Sequence, residues 1–89
     1  MLYYIKEIVS VQDHNISCLF NTGEVRVVDL GELIAKYKKI NDGLISNLAD
    51  KAYFKTVKLD SYGTLTWANG VDFDPDNLYD MSYSQIETI

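Results

Sequence analysis

The sequence predicts an α+β domain built on an antiparallel sheet. Three observations support this class: short runs of β-branched and aromatic residues between turn residues, one segment with helical periodicity, and an Asp-Pro pair near the end. We expect about five short strands, one helix of about two to three turns and a short C-terminal helical turn. At 89 residues, with 47% hydrophobic and 24% charged residues, the chain is one globular domain rather than a disordered one.

Three strands are predicted in the first third of the chain. Residues 3–11 are rich in Tyr, Ile and Val, residues 16–20 alternate in side-chain direction, and residues 25–28 read VRVV. Turn residues occupy 12–15 and 21–24, where Gly23 can adopt a positive φ. These strands are expected to form an antiparallel meander.

The hydrophobic period then becomes that of a helix. The apolar stripe consists of Leu30, Leu33, Ile34 and Tyr37. Asp29 and Glu32 are expected to form a capping box. Lysines at 36, 38 and 39 suit the negative end of the helix dipole, and Asn-Asp-Gly at 41–43 is expected to end the helix.

Two further strands are predicted at residues 54–60 and 64–68, joined by a turn at 61–63. Residues 44–53 are ambiguous, with one helical turn over 48–53 as an alternative. Asn69-Gly70 is a turn signal, and Asp74-Pro75 predicts a helical turn over 75–79. We therefore place the domain at residues 1–79 and expect 80–89 to be a flexible tail.

Composition excludes several kinds of site. One cysteine and one histidine provide neither an internal disulfide nor a zinc site, so we expect no metal and no cofactor. Cys18 is predicted to be a small buried hydrophobic residue, and His14 a solvated turn residue. No signal peptide or membrane-spanning run is visible, which together with the unpaired cysteine predicts a cytoplasmic protein without membrane partners.

The net charge of −5 is distributed unevenly. Residues 1–58 hold all eight Lys and Arg with seven acids, whereas the rest of the chain holds six acids and no base: Asp60, Asp72, Asp74, Asp76, Asp80 and Glu87. This argues against a general phosphate-binding surface. The acidic third serves either solubility or attraction of a basic partner.

The segment from Trp67 to Tyr79 carries the most specific pattern in the sequence. It fits W-x-N-G-x-D-x-x-P-x-x-L-Y, through Trp67, Asn69, Gly70, Asp72, Pro75, Leu78 and Tyr79. With the Phe20–Glu24 turn, a downstream Asp-Leu and Phe54 opening a strand, the chain resembles the bacterial family called domain of unknown function 2442. Asn21-Thr22 departs from the family, in which Asp or Asn usually precedes the glycine.

This resemblance implies a small α+β fold and a cytoplasmic protein without an assigned activity. Some relatives are modules joined to a helix-turn-helix domain, and others are encoded beside a second small protein, as in toxin–antitoxin pairs. The absence of a helix-turn-helix segment after residue 79 predicts the second, stand-alone type.

The closing motif is also the best candidate for a functional site. The candidate partner-binding residues are Trp67, Asn69, Asp72, Asp74, Asp76 and Tyr79. The favoured interpretation of the motif is nevertheless structural, with a packing or turn role for each of its residues. A calcium loop starting at Asp72 is excluded, because Asn77 stands at its sixth position and Tyr83 at its twelfth.

These features favour a non-catalytic protein-interaction module, antitoxin-like, with a small basic protein as partner. A nucleic-acid-associated regulator is the alternative, with lysines 36, 38, 39, 51, 55 and 58 forming a basic face. An enzyme built from this chain would need an active site of carboxylates brought together from distant positions, so we expect no enzymatic activity. The first strand is predicted to lie at a sheet edge and to pair with a second copy.

Overall fold

The computed structural model describes residues 2–40 and 43–84. Six strands are present in these residues: β1 Ile5–Gln12, β2 Asn15–Phe20, β3 Val25–Asp29, β4 Lys58–Leu59, β5 Leu65–Thr66 and β6 Tyr83–Ser84. The helices are α1 Gly31–Lys39, α2 Gly43–Ser46, α3 Lys51–Phe54 and α4 Pro75–Met81, with a 3-10 turn at Asn47–Ala49. The predicted α+β class is confirmed.

The strands form two sheets. The larger sheet has the order β1-β2-β3-β6, with every neighbouring pair antiparallel, so the predicted meander is its first three strands. The smaller sheet is the β4-β5 hairpin. Alternation along β2 turns Ile16, Cys18 and Phe20 to one face, where all three are fully buried.

One hydrophobic core lies on that face of the larger sheet. Helix α1 contributes Ile34, the following helical segment contributes Leu48 and Phe54, and the closing motif contributes Trp67 and Leu78. Burial raises the pKa of the Cys18 thiol to about 12, because the thiolate would lie in an apolar environment. Cys18 is therefore the buried hydrophobic residue that the sequence predicts.

Helix α1 begins differently from the prediction. Its N-cap residue is Leu30 without a side-chain cap, and the predicted Asp29–Glu32 capping box is wrong. Asp29 is still paired with Asn15 in the sheet, and its carboxylate accepts from Gly31 N at 2.9 Å instead. The lysines at 36, 38 and 39 do occupy the last turn, while Asn41 and Asp42 lie outside the described residues.

Phe54 ends helix α3 instead of opening a strand. The Asp50 carboxylate caps this helix by accepting from Ala52 N at 2.9 Å, and Phe54 N donates to Asp50 O. The cap draws the chain into a helical turn that buries the Phe54 ring beside Trp67. As a result, only Lys58 and Leu59 of the predicted strand 54–60 remain extended and paired.

The C-terminal part of the fold is longer than the sequence suggests. Asp74 caps α4 and Pro75 opens it, as predicted, but the helix continues to Met81. Tyr83–Ser84 then pair with β3 as β6. The Arg26 guanidinium holds this strand by donating from Nε to Ser82 Oγ at 2.6 Å and from Nη2 to Ser82 O at 2.9 Å. Residues 80–84 thus belong to the fold, and the rest of the expected tail lies outside the described residues.

Candidate partner-binding site

Trp67 of the closing motif is a core residue. Its side chain is 3% exposed, and its indole Nε1 donates to Phe54 O at 3.0 Å. Its ring lies 5.4 Å from the Phe54 ring and 5.9 Å from the Phe73 ring. A buried indole needs such a partner for its N–H, so Trp67 ties the second sheet to the end of α3.

Asn69 holds the turn that follows Trp67. Its Oδ1 accepts from Val71 N at 3.1 Å, and its Nδ2 donates to Leu44 O at 3.0 Å. Its backbone N–H donates to the Tyr53 hydroxyl at 3.0 Å. Gly70 takes a φ of +92° in this turn, which explains the Asn-Gly pair. Asn69 therefore links the turn to the helical segment.

The three alternating aspartates of the motif have separate surroundings. The Asp74 carboxylate accepts from Asp76 N at 2.9 Å, and the Asp76 carboxylate accepts from Tyr3 N at 2.7 Å. Asp72 is exposed, as is Asp74. The described residues contain no group of three or more His, Cys, Asp or Glu side chains placed to hold a metal ion.

Tyr79 binds the start of the chain. Its ring stacks on Tyr3 with centroids 3.8 Å apart and planes 3° apart, and it meets Phe20 edge-on. The Tyr79 hydroxyl donates to Glu24 Oε1 at 2.5 Å, and Arg26 lies 4.6 Å from the ring centroid. The bond from Tyr79 lowers the pKa of Glu24, assisted by Thr22 and Arg26, and the same bond raises the pKa of Tyr79.

Asn21 fixes the N-terminal segment from the other side. Its Oδ1 accepts from Tyr4 N and its Nδ2 donates to Leu2 O, each at 3.0 Å. Its backbone N–H donates to Tyr4 O at 2.9 Å. Together with Asp76 and Tyr79, these contacts define the path of Leu2–Tyr4 and determine where the Tyr4 side chain emerges.

The turn between β4 and β5 packs against the same segment. The Asp60 carboxylate accepts from Tyr62 N at 2.9 Å and from Thr64 N at 3.1 Å. Gly63 has a φ of +80°, and its carbonyl accepts from Ile5 N at 2.7 Å. A Cβ at Gly63 would lie 2.8 Å from Tyr4 Cβ, so only glycine permits this approach.

The close contact creates a concave surface that we call the aromatic depression, lined by residues 4–6 and 59–63. Its volume is about 490 Å³. Tyr62 is 83% exposed and Tyr4 is 45% exposed at this surface. No local pattern in the sequence predicts this depression, because it brings together tyrosines 58 positions apart. The available signal was Asp60 and Gly63 bracketing an aromatic residue in a tight turn.

A family model described as a protein of unknown function (DUF2442) matches residues 5–84. The chain belongs to the DUF2442 family. The match extends from the first residue of β1 to the last residue of β6. No curated protein and no solved structure matches the chain.

Membership in the DUF2442 family confirms the resemblance seen in the sequence and assigns no activity. Among the described helices of this DUF2442 domain, none has the length and apolar character needed to cross a membrane. The six candidate partner-binding residues do not form one surface patch. Contacts within the domain already engage the side chains of Trp67, Asn69 and Asp76. The Tyr79 side chain is half-buried, and only Asp72 and Asp74 are exposed to solvent.

His14 has a structural role in this DUF2442 domain, so the prediction of a solvated turn histidine is wrong. It is half-buried, its Nε2 lies 3.0 Å from Leu48 O, and its ring meets Phe54 edge-on at 4.9 Å. The neighbouring Asp13 accepts an ion pair from Lys51 at 3.1 Å. The β1–β2 turn packs against the helical segment because both residues find partners there.

Proposed function

We propose that this domain is a non-catalytic protein-interaction module and that it binds a small protein partner at the aromatic depression. The observation that carries this proposal is the pair of exposed tyrosines, Tyr4 and Tyr62, at the wall of one concave surface. Tyrosine is enriched among the residues that dominate binding energy at protein interfaces. An aromatic or aliphatic side chain of the partner would fill the depression between them.

The support beneath these tyrosines favours binding. The Asp60 carboxylate and the contact of Gly63 with Ile5 fix the backbone on both sides of Tyr62. Asn21 fixes the backbone of Tyr4. A surface whose backbone is already in place loses little conformational entropy when a partner binds, and more of the interaction energy therefore appears as affinity.

Charge favours a basic partner, in an arrangement like that of an antitoxin and a small neighbouring protein. The domain carries a net charge of −5. Asp72, Asp74 and Asp80 are exposed, and no hydrogen bond or ion pair involves the Asp72 or Asp80 carboxylate within residues 2–40 and 43–84. Such charges accelerate encounter with a basic protein. A reducing cytoplasm is the proposed setting, which suits the unpaired Cys18.

Co-expression with the product of the neighbouring gene tests the proposal. The two proteins should elute together, and Tyr62→Ala should weaken the complex by about tenfold or more, as is typical of an interface anchor. Tyr83→Ala is the matched control, because Tyr83 is 45% exposed and lies outside the depression. Separate elution, or equal weakening by both variants, would contradict the proposal.

The alternative is a nucleic-acid-associated regulator. Lys36, Lys38 and Lys39 are all exposed in the last turn of α1, which favours contact with phosphates. Titration with duplex DNA and with RNA at two salt concentrations separates the two functions. Binding that weakens steeply as salt rises, and that is lost in Lys38→Glu, would favour the regulator.

A further inference from the structure

Strand β1 ends the larger sheet and leaves one of its sides open. On that side Ile5 N donates to Gly63 O, so the β4–β5 turn covers the beginning of the strand. Beyond Ile5, no strand of residues 2–40 and 43–84 pairs with this side. We call residues 6–13 the free edge, since it starts after the contact with Gly63 and ends in the turn at Asp13.

Two register shifts determine which side chains of the free edge share a face. They lie between Ile5 and Glu7 and between Ile8 and Ser10. Ile8 pairs with Cys18 and Val11 with Ile16, so both are on the core face of the sheet although they are three residues apart. Both are half-buried and pack against the core cluster. Glu7, Ser10 and Gln12 lie on the opposite face.

We propose that two copies of this chain join their sheets by pairing the free edges antiparallel, about a twofold axis between Val9 and Ser10. This register pairs residues 7–12 of the two copies and places Lys6 beside the turn residue Asp13 of the partner subunit. Residues that face each other across an antiparallel pair lie on the same face of the sheet. Ile8 then faces Val11 of the partner subunit on the core face, and Glu7 faces Gln12 of the partner subunit on the other.

The charges at the two ends of the free edge favour the same antiparallel register. The free edge has a cation at its beginning, Lys6, and an anion at its end, Asp13, and both side chains are exposed. In the antiparallel register Lys6 meets Asp13 of the partner subunit twice, once on each side of the axis. A parallel pairing would instead place like charges opposite each other.

The pairing also extends the core. Ile8 and Val11 are half-buried in one copy because the core ends at β1. The partner's strand would cover their open side, and a domain this small gains a large share of its stability from such burial. Val9, which is 51% exposed, would face Ser10 of the partner subunit beside the axis. The two four-stranded sheets become one continuous sheet.

Sedimentation equilibrium over a wide concentration range tests this inference. We expect a mass of twice the 10.1 kDa chain. Asp13→Asn should raise the dissociation constant about tenfold, since each dimer loses two surface ion pairs. Asn tolerates the φ of +53° found at Asp13, so the turn is retained. Lys51→Gln is the matched control, because it removes the ion pair within one chain and leaves Asp13 available to the second copy.

Isotope-filtered nuclear Overhauser measurements on a mixed labelled and unlabelled sample should connect the Ile8 and Val11 methyl groups of different copies. A mass of 10.1 kDa at every concentration would overturn the inference. So would a dimer that Asp13→Asn and Lys51→Gln affect equally, or intermolecular contacts elsewhere on the chain. Lys6 belongs both to the free edge and to the lining of the aromatic depression, so the two proposals are separated by variants that touch only one surface. Asp13→Asn should weaken the dimer and leave binding of the small protein partner intact, whereas Tyr62→Ala should do the reverse.

Discussion

Tyr3 stacks face to face on Tyr79, with ring centroids 3.8 Å apart and planes 3° apart. The Asp76 carboxylate accepts from Tyr3 N at 2.7 Å in the same contact, across 73 positions of sequence. The closing motif therefore holds the N-terminal segment. Two of its residues that sequence reasoning offers to an external partner already bind a segment of their own chain.

Truncation of Tyr79 tests the energetic weight of this contact. Tyr79→Ala should lower the free energy of unfolding by about 3 kcal/mol, because the ring packs on Tyr3 and Phe20. Tyr79→Phe keeps the ring and removes only the solvent-exposed hydroxyl bond to Glu24, so the loss should be much smaller than in Tyr79→Ala. Urea unfolding measures both values. Equal losses in the two variants would show that the stack contributes little.

The Glu24–Tyr79 bond predicts a dependence of stability on pH at both ends of the range. The pKa of Glu24 lies below its ordinary value of 4.5, so its stabilising effect is present above that pH and is lost as the pH falls through the folded-state pKa. The pKa of Tyr79 lies above 10.0, so its effect is present below that pH and is lost as the pH rises through the folded-state pKa.

Unfolding measurements between acidic and strongly alkaline pH check this dependence. In Tyr79→Phe the alkaline loss attributable to Tyr79 should disappear and the acidic loss should become smaller. Asp80→Asn, which removes an exposed carboxylate, serves as the control and should leave the difference unchanged. Identical pH profiles for the parent chain and Tyr79→Phe would contradict the role assigned to this bond.

Two glycines with similar backbone angles should respond differently to alanine. Gly63→Ala places a Cβ 2.8 Å from Tyr4 Cβ in a backbone with φ +80°, and we expect a loss of about 3 kcal/mol. Gly23→Ala meets no atom within 4 Å at φ +89°, so only the backbone cost of about 1 kcal/mol applies. Thermal or urea unfolding compares them. A smaller loss for Gly63→Ala than for Gly23→Ala would disprove the close approach.

The Cys18 thiol should be inert in the native protein. It is fully buried and its pKa is raised to about 12, so almost no thiolate is available to a reagent at neutral pH. Labelling with a chromogenic disulfide reagent should be slow in buffer and immediate in denaturant. Fast labelling of the folded chain would show that the sheet opens around Cys18 far more readily than its packing indicates.

The sequence predicts those strands and helix ends whose formation depends on residues close together in the chain. The alternation around Cys18 gives β2, and Asp74-Pro75 gives the start of α4. The residues around Phe54 favour a strand by their composition, but the Asp50 cap and the space beside the Trp67 ring place Phe54 in a helix. Strand β6 is only two residues long and depends on Arg26, which lies 56 positions away from Ser82.

The same distinction between local and long-range contacts applies to the candidate partner-binding site. Asn69 and Asp74 act within their own turns, so their sequence context indicates these roles. The aromatic depression could not be predicted, because it exists only once Gly63 meets the N-terminal segment. The free edge of β1 could be predicted only in part. The sequence predicts that β1 is an edge strand, but only the fold shows which of its residues remain unpaired on the outer side.

The contacts of the N-terminal segment Leu2–Tyr4 with Asp76 and Tyr79 of the closing motif affect how the chain folds during its synthesis. A ribosome makes the N-terminal segment first and its binding residues Asp76 and Tyr79 late. The β1–β2–β3 meander has only local pairings and can form on the nascent chain, whereas the contacts of Leu2–Tyr4 with the closing motif can form only near the end of translation. A purification tag fused directly before Leu2 would therefore act on the last step of maturation, and it belongs at a distance behind a flexible spacer.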